Sequence, residues 1–246
     1  MIIWYTLATI VAIILAIILL HAIFLTICGL FVDPKKEYEH DNKFYRFLLY
    51  SSTAIMLRVF RIKLHVHGLE KIPTDTKPLF VGNHRSNFDP IIEWQVLRKW
   101  QPAFISKAEN FQIPFYGKII RRCCFMAIDR KDPRNAMHTI QKAAALLKQQ
   151  EVSIGIYPEG TRSKSGELLP FHNGVFKIAQ MANAPIVVVA IRGTQQIHKQ
   201  VILHRSDIYI DIVDVIPAAE LATMRTSAIG KRVQDALLSV LSVDKI

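Results

Sequence analysis

Residues 1–32 contain no Asp, Glu, Lys or Arg, and the apolar run IIWYTLATIVAIILAIILLHAIFLTICGLF outlasts the roughly 20 residues that cross a bilayer core. A chain that begins this way must cover that surface with lipid or with its own core. Core helices rarely extend so far without a charge. A cleaved secretory signal has a basic start and a small-residue cleavage site, whereas here Met1 leads straight into Ile2, Ile3 and Trp4. The sequence therefore predicts a retained membrane helix. Basic residues follow at Lys35, Lys36, Lys43, Arg46, Arg58, Arg61 and Lys63. By the positive-inside rule they place the rest of the chain on the cytoplasmic face of the cell membrane.

A second apolar-rich segment, DNKFYRFLLYSSTAIMLRVF, spans residues 41–60. Phe44, Phe47, Leu48 and Ile55 approximate one helical face, and Arg46 interrupts the apolar stretch, so an amphipathic interfacial helix among the headgroups is expected rather than a second span. Packing against the rest of the protein is the alternative. The organisation that results is a pair of membrane-anchoring helices in residues 1–62 and a cytoplasmic domain in residues 63–246.

Hydrophobic residues make up 51% of the 246, which excludes disorder. The 31 Lys+Arg and 20 Asp+Glu must sit in water, which excludes a wholly embedded bundle. The net charge of +11 points to an anionic partner: membrane phospholipids, a phosphate-bearing substrate, an acidic carrier protein or nucleic acid. No groove-reading motif or aromatic-interleaved basic patch supports nucleic acid. Topology and solubility account for part of the excess. Cys28 lies in the apolar run and Cys123 and Cys124 are adjacent. That spacing suits neither a metal nor a redox pair, so reduced thiols are expected.

Beyond residue 61, β-rich runs (63–67, 79–82, 125–128, 152–157, 186–191, 208–213) alternate with helical patterns (90–100, 133–150, 175–182, 227–243). The run IVVVAI has no alternation, as expected of a strand covered on both faces. The pattern predicts an α/β fold with a mostly parallel central sheet flanked by helices. In such sheets, sites form at the carboxyl ends of strands. Two loops there carry chemistry.

The first reads Gly82-Asn83-His84-Arg85-Ser86-Asn87-Phe88-Asp89-Pro90. His84 and Asp89 are five positions apart, a poor helical spacing, but a turn entering a helix can fold the carboxylate back onto the imidazole. A carboxylate on one ring nitrogen fixes the tautomer and leaves the other nitrogen as a general base for an alcohol. Asp followed by Pro is also a common helix start, with Asp as N-cap; Asp132-Pro133 has the same signature, and for Asp89 taken alone the cap is the favoured reading. The second loop reads Tyr157-Pro158-Glu159-Gly160-Thr161-Arg162-Ser163-Lys164-Ser165-Gly166. Arg162 offers a planar fork for phosphate, with Thr161, Ser163 and backbone N–H groups as further donors. An ordinary turn followed by a solvated loop is the alternative. A nucleotide P-loop fails because Thr161 stands where its Lys should be.

No G-x-S-x-G elbow is present, no cysteine lies near His84 in sequence, and no metal-ligand cluster is evident. His65 and His67 share one face of a strand, a spacing that could bind a metal, but the favoured reading is the wetted side of the strand with Lys63. A base without a protein nucleophile implies that the substrate's own hydroxyl attacks.

Together the two loops resemble the glycerolipid acyltransferase family, most closely the bacterial 1-acylglycerol-3-phosphate acyltransferases. NHRSNFDP fits its N-H-x4-D block and YPEGTRS its [FY]-P-E-G-T-R-S block. Leu169-Pro170-Phe171, Gly174 and Pro185-Ile186-Val187 continue the similarity, which runs over residues 64–192. The resemblance implies that His84 and Asp89 are a catalytic pair. It implies that Glu159, Gly160, Thr161 and Arg162 serve the acceptor's phosphate, and that Lys107 and Arg130 are further basic residues near the substrate. The implied reaction moves a fatty acyl group from an acyl-carrier-protein or coenzyme A thioester to the sn-2 hydroxyl of lysophosphatidate, with no cofactor or metal. Glycerol 3-phosphate or another lysophospholipid is the alternative acceptor, and a non-catalytic lipid-binding protein the alternative class. The chain departs from the family at Val188, Ala127, Cys123 or Cys124, and Asn87-Phe88, positions that bear on acyl-chain and acceptor preference.

Overall fold

The structure, a computed structural model, describes residues 1–200 and 204–242. Helix α1 (Ile2–Leu30) has a mean hydropathy of 3.1 over its most apolar window, none of which is buried by the rest of the chain. At 1.5 Å per residue its 29 residues extend about 44 Å, more than a hydrocarbon core requires. Only Cys28 and Gly29 of this helix are buried.

Helix α2 (Lys43–Val59) starts at Asn42, whose side chain accepts the N–H groups of Phe44 and Tyr45. It packs back on α1 through a hydrogen bond from the Tyr45 hydroxyl to the Cys28 carbonyl at 2.9 Å and a 3.1 Å contact of His21 Nε2 with Ser52 Oγ. Its faces divide differently from the expected pattern. Tyr45, Leu48, Leu49 and Leu57 are buried against the domain, so Leu48 does not share the bare face of Phe44, Phe47 and Ile55. Arg46 is not an interruption. The side chain is buried, and its guanidinium pairs with Asp41 at 2.9 Å and donates to the carbonyls of Pro102 and Cys123 at 2.8 and 3.0 Å.

Seven strands form one sheet in the order β1-β7-β6-β2-β5-β3-β4: β1 (Ile62–His67), β2 (Leu79–Gly82), β3 (Pro102–Ser106), β4 (Met126–Ala127), β5 (Ser153–Ile156), β6 (Ile186–Arg192) and β7 (Ser206–Ile216). Every pairing is parallel except β6 with β7. The short strand β3 was not expected from sequence; Pro102 occupies the one interior-sheet position, the first, where its missing N–H is tolerated. Alternate residues of the central strands face two cores. Leu79, Val81, Ile154, Ile156 and Val188 meet helices α4 (Tyr116–Arg122), α5 (Pro133–Lys148) and α6 (Lys177–Ala182) on one side, while Phe80, Val187, Val189 and Ile191 meet α3 (Phe88–Val96) on the other. The two-sided burial explains the unbroken apolar run of β6.

Two short helices, α7 (Ile197–Gln200) and α8 (Ala218–Leu221), precede the last one, α9 (Thr226–Leu241). The final residue of the expected 227–243 helix lies outside the described residues. His65 and His67 of β1 pair with Asp207 and Asp211 of β7 at 2.7 and 2.9 Å. Burial pushes the thiols of Cys123 and Cys124 up to about 12, so both are unreactive.

Candidate active site

Strands β2 and β5 are hydrogen-bonded neighbours, with Val81 opposite Ile156. The two loops identified in the sequence therefore leave the sheet side by side. The same offset of 75 residues that pairs these strands separates His84 from Glu159, and the His84 N–H donates to Glu159 Oε1 at 2.7 Å. Glu159 Oε2 accepts the Leu169 N–H at 2.9 Å, the Ser163 N–H donates to the His84 carbonyl at 2.8 Å, and Arg85 reaches the Gly166 carbonyl at 2.6 Å. Glu159 is thus a buried clamp between loops and does not itself line the cavity onto which His84 opens. Burial raises its carboxyl pKa, and the two N–H donors oppose that rise.

Asn83 anchors the first loop from the other side. Its side chain accepts the Ile191 N–H at 2.8 Å and donates to the Ile191 carbonyl at 2.9 Å, prolonging the β2–β6 ladder by one rung after the backbone has turned away. The turn that follows brings His84 Nδ1 to 2.8 Å from Asp89 Oδ2. Asp89 is fully buried and accepts three more hydrogen bonds: Arg85 N–H at 2.7 Å, Ser86 N–H at 2.6 Å and the Thr194 hydroxyl at 2.5 Å. It is not the helix cap. Residue Asn87 precedes the first turn of α3, and Asp89 lies inside it, reaching backward to the loop. Asp132, by contrast, does cap α5, accepting the Arg134 N–H at 2.9 Å with Pro133 in the first helical position. The same dipeptide serves two purposes, decided by what the carboxylate can reach.

With Nδ1 committed as donor to Asp89, Nε2 is the free basic nitrogen of His84. The imidazole stacks on the Tyr157 ring at 4.3 Å and 7°, and its side chain is 18% exposed. It opens onto a cavity of about 800 Å³. Its buried lining includes Trp94, Phe104, Ile120, Phe125, Ile140, Ile156 and Gly160, and its exposed rim carries Lys107, Arg130, Thr161, Arg162 and His172. Six of the eight residues singled out from sequence line this one cavity; Asp89 and Glu159 stand behind it. Gly160 has φ +69, and a Cβ there would lie 3.0 Å from His172 and 3.6 Å from the Arg130 guanidinium carbon. Glycine permits both the left-handed turn and the close approach.

Sequence reasoning missed Thr194, Tyr157 as a ring support, His172, and Glu93. Asn83 stood inside the matched block, but its bonding to Ile191 needs the fold. Glu93, one helical turn after Asp89, is 1% exposed, and its Oε1 has no hydrogen-bond partner. Burial first, then the charge of Asp89, push its carboxyl well above the usual range, while the Tyr157 hydroxyl acts in the opposite sense. The unfolded chain ionises this group near pH 4.5, the ordinary value, a lower pH than the folded chain requires. Folding then takes up a proton, and stability falls as pH rises, by at most about 1.4 kcal/mol per unit for one such group. Glu159 contributes with the same sign. Glu93→Gln is expected to gain stability relative to the unsubstituted chain as pH climbs from 5 to 8, measured by denaturant unfolding at several pH values. Parallel stability curves would show that Glu93 ionises in the fold.

A mostly parallel sheet thus places a carboxylate-oriented histidine beside an apolar-walled cavity whose lining also carries Lys107, Arg130 and Arg162, which defines an α/β protein with a histidine–aspartate pair at a cavity. The chain belongs to the acyltransferase family: the profile described as Acyltransferase matches residues 63–192. Among curated relatives, the 1-acyl-sn-glycerol-3-phosphate acyltransferase of Haemophilus influenzae is 32% identical over 186 residues, covering 70% of this chain and 75% of that protein. A chloroplastic enzyme of the same name from Brassica napus is 33% identical over 159 residues, which are 64% of this chain and 45% of the relative. This chain thus spans less than half the length of that plant relative. The crystal structure of the 1-acyl-sn-glycerophosphate (LPA) acyltransferase PlsC from Thermotoga maritima superposes with a TM-score of 0.68 over 90% of this chain and 87% of that one, at 23% identity. The fold is shared.

Proposed function

We propose that the protein transfers a fatty acyl group from an acyl thioester to the sn-2 hydroxyl of 1-acylglycerol 3-phosphate, giving phosphatidate. The observation that carries this reading is the placement of the His84–Asp89 pair where one cavity passes from an apolar interior to a cationic rim. An acyl chain suits the interior and a phosphate suits Arg162, with Lys107 and Arg130 beside it. In the reaction His84 Nε2 removes the hydroxyl proton as the oxygen bonds to the thioester carbonyl carbon. Asp89 stabilises the imidazolium. The tetrahedral adduct then expels the thiolate, which takes the proton from His84 as the C–S bond breaks.

Residues 1–62 would hold the domain at the cytoplasmic face of the membrane, where a single-chain lipid resides, and the charge of +11 would draw both anionic lipid and an acidic carrier protein or coenzyme A. The names of the relatives support the acceptor, and the bare apolar surface of α1 supports the location.

The test is turnover of lysophosphatidate by the full chain in detergent, with labelled acyl-carrier-protein and coenzyme A thioesters compared. Phosphatidate is the expected product. Arg162→Ala is expected to raise KM for the acceptor about tenfold or more and leave KM for the donor alone, as loss of a charge-assisted phosphate contact of about 1.5–3 kcal/mol predicts. An unchanged acceptor KM would move the phosphate elsewhere. No phosphatidate from either donor would make the acceptor wrong, and glycerol 3-phosphate or another lysophospholipid would be tried next.

A further inference from the structure

We propose that the tip formed by Ile113, Pro114 and Phe115 is a wedge that seats in a phospholipid bilayer and holds the cavity mouth against it; the proposal rests on the reading of α1 as a membrane helix. Ile113 is 45% and Phe115 40% exposed. Isolated exposed apolar residues are ordinary, but three features set this pair apart.

The first is the mounting. Helix α4 begins directly on the preceding turn (Ala108–Gln112), so closely that a Cβ on Gly117 would stand 2.2 Å from the Phe111 carbonyl oxygen. Phe111 itself is buried, with the Arg121 guanidinium 3.8 Å above its ring. Hydrogen bonds from Tyr116 N–H to the Pro114 carbonyl at 2.6 Å and from Gly117 N–H to the Ile113 carbonyl at 2.9 Å close the tip. The second is strain. Phe115 has φ 62 and ψ −55, a conformation that a bulky side chain rarely adopts. The fold holds an aromatic residue in an unfavourable backbone state and turns it outward.

The third is location. Three residues beyond Phe115, Lys118 meets α1 where it docks: a Cβ on Gly29 would lie 3.3 Å from Lys118 Cδ. On α1 around that point Phe24, Ile27 and Leu30 are bare. Ile113 also lines the cavity, beside Lys107. The apolar surface of the helix, the wedge and the cavity therefore adjoin one another, with Lys118 beside the helix and Lys107 in the cavity lining as nearby cations. A lipid surface is the occupant that suits this combination.

A bimane label on Phe115→Cys tests contact directly, because Cys28, Cys123 and Cys124 are buried. In phosphatidylcholine–phosphatidylglycerol vesicles the label should be quenched by doxyl lipids and shielded from aqueous iodide; quenching by iodide alone overturns the proposal. Phe115→Gly separates function from folding, since glycine relieves the backbone strain. It should melt no lower than the unsubstituted chain, yet lose about tenfold in turnover of acceptor embedded in vesicles, the expected scale for one exposed aromatic side chain removed from lipid. Turnover of a short-chain soluble acceptor should not change. Unaltered turnover in vesicles also overturns the wedge. Were doxyl quenching present and phosphatidate absent even with the unsubstituted chain, the wedge would stand and the proposed reaction would fall.

Discussion

His84→Ala is expected to fold normally and to turn over acceptor about 10²–10⁴-fold more slowly, the range supplied by a positioned general base. Folding should survive because the loop is held by groups the substitution leaves in place. The backbone N–H of residue 84 still meets Glu159, its carbonyl still accepts from Ser163, and Asn83 still bonds to Ile191. Asp89 loses one of four donors and retains Arg85, Ser86 and Thr194. Asp89 substitutions would be less informative, since they free several buried donors at once. Initial rates in detergent, beside a thermal melt of the same sample, check the claim. A variant as active as the unsubstituted chain would remove His84 from the base role.

Asp41→Ala should cost about 3–5 kcal/mol of stability, a large loss for a substitution outside the apolar cores. Its carboxylate and the Arg46 guanidinium are 6% and 4% exposed as side chains and lie 2.9 Å apart. Removing the acid leaves a cation in a dry pocket with two carbonyls for company. Denaturant unfolding in detergent measures it, and a loss below about 1 kcal/mol would mean that the carbonyls suffice. The surface pair of Arg205 with Asp207, 49% and 36% exposed, gives the contrast: water and salt screen it, and breaking it should cost far less.

What sequence could show divides along a physical line. Strand β2 and both site loops were legible because short apolar runs end there in polar residues that an ordinary turn does not need. Strand β6 was legible because burial on both faces leaves no alternation. Strand β3 was not: five residues opening on Pro102 become a strand only through pairing with β5 and β4. The faces of α2 were misjudged because Arg46 reads as polar, and its partners are Asp41 and two distant carbonyls that no periodicity encodes. Asp89 was read, taken alone, as a cap because its true donors include the Thr194 hydroxyl, 105 residues away. The support of Tyr157 under His84 and the burial of Glu93 have the same character. They are properties of neighbours in space.

The shared offset between paired strands and paired loops has an evolutionary corollary. The meeting of His84 with Glu159 is set by which residue of β2 lies beside which residue of β5, and by nothing in the long stretch between them. That stretch contributes Phe104, Ile120, Phe125 and Ile140 to the cavity wall. Mutation can therefore reshape the chamber, lengthening, shortening or narrowing it, while the His84–Glu159 contact stays in register. If the proposed transfer holds, descendants of such a chain could change diet without relearning chemistry.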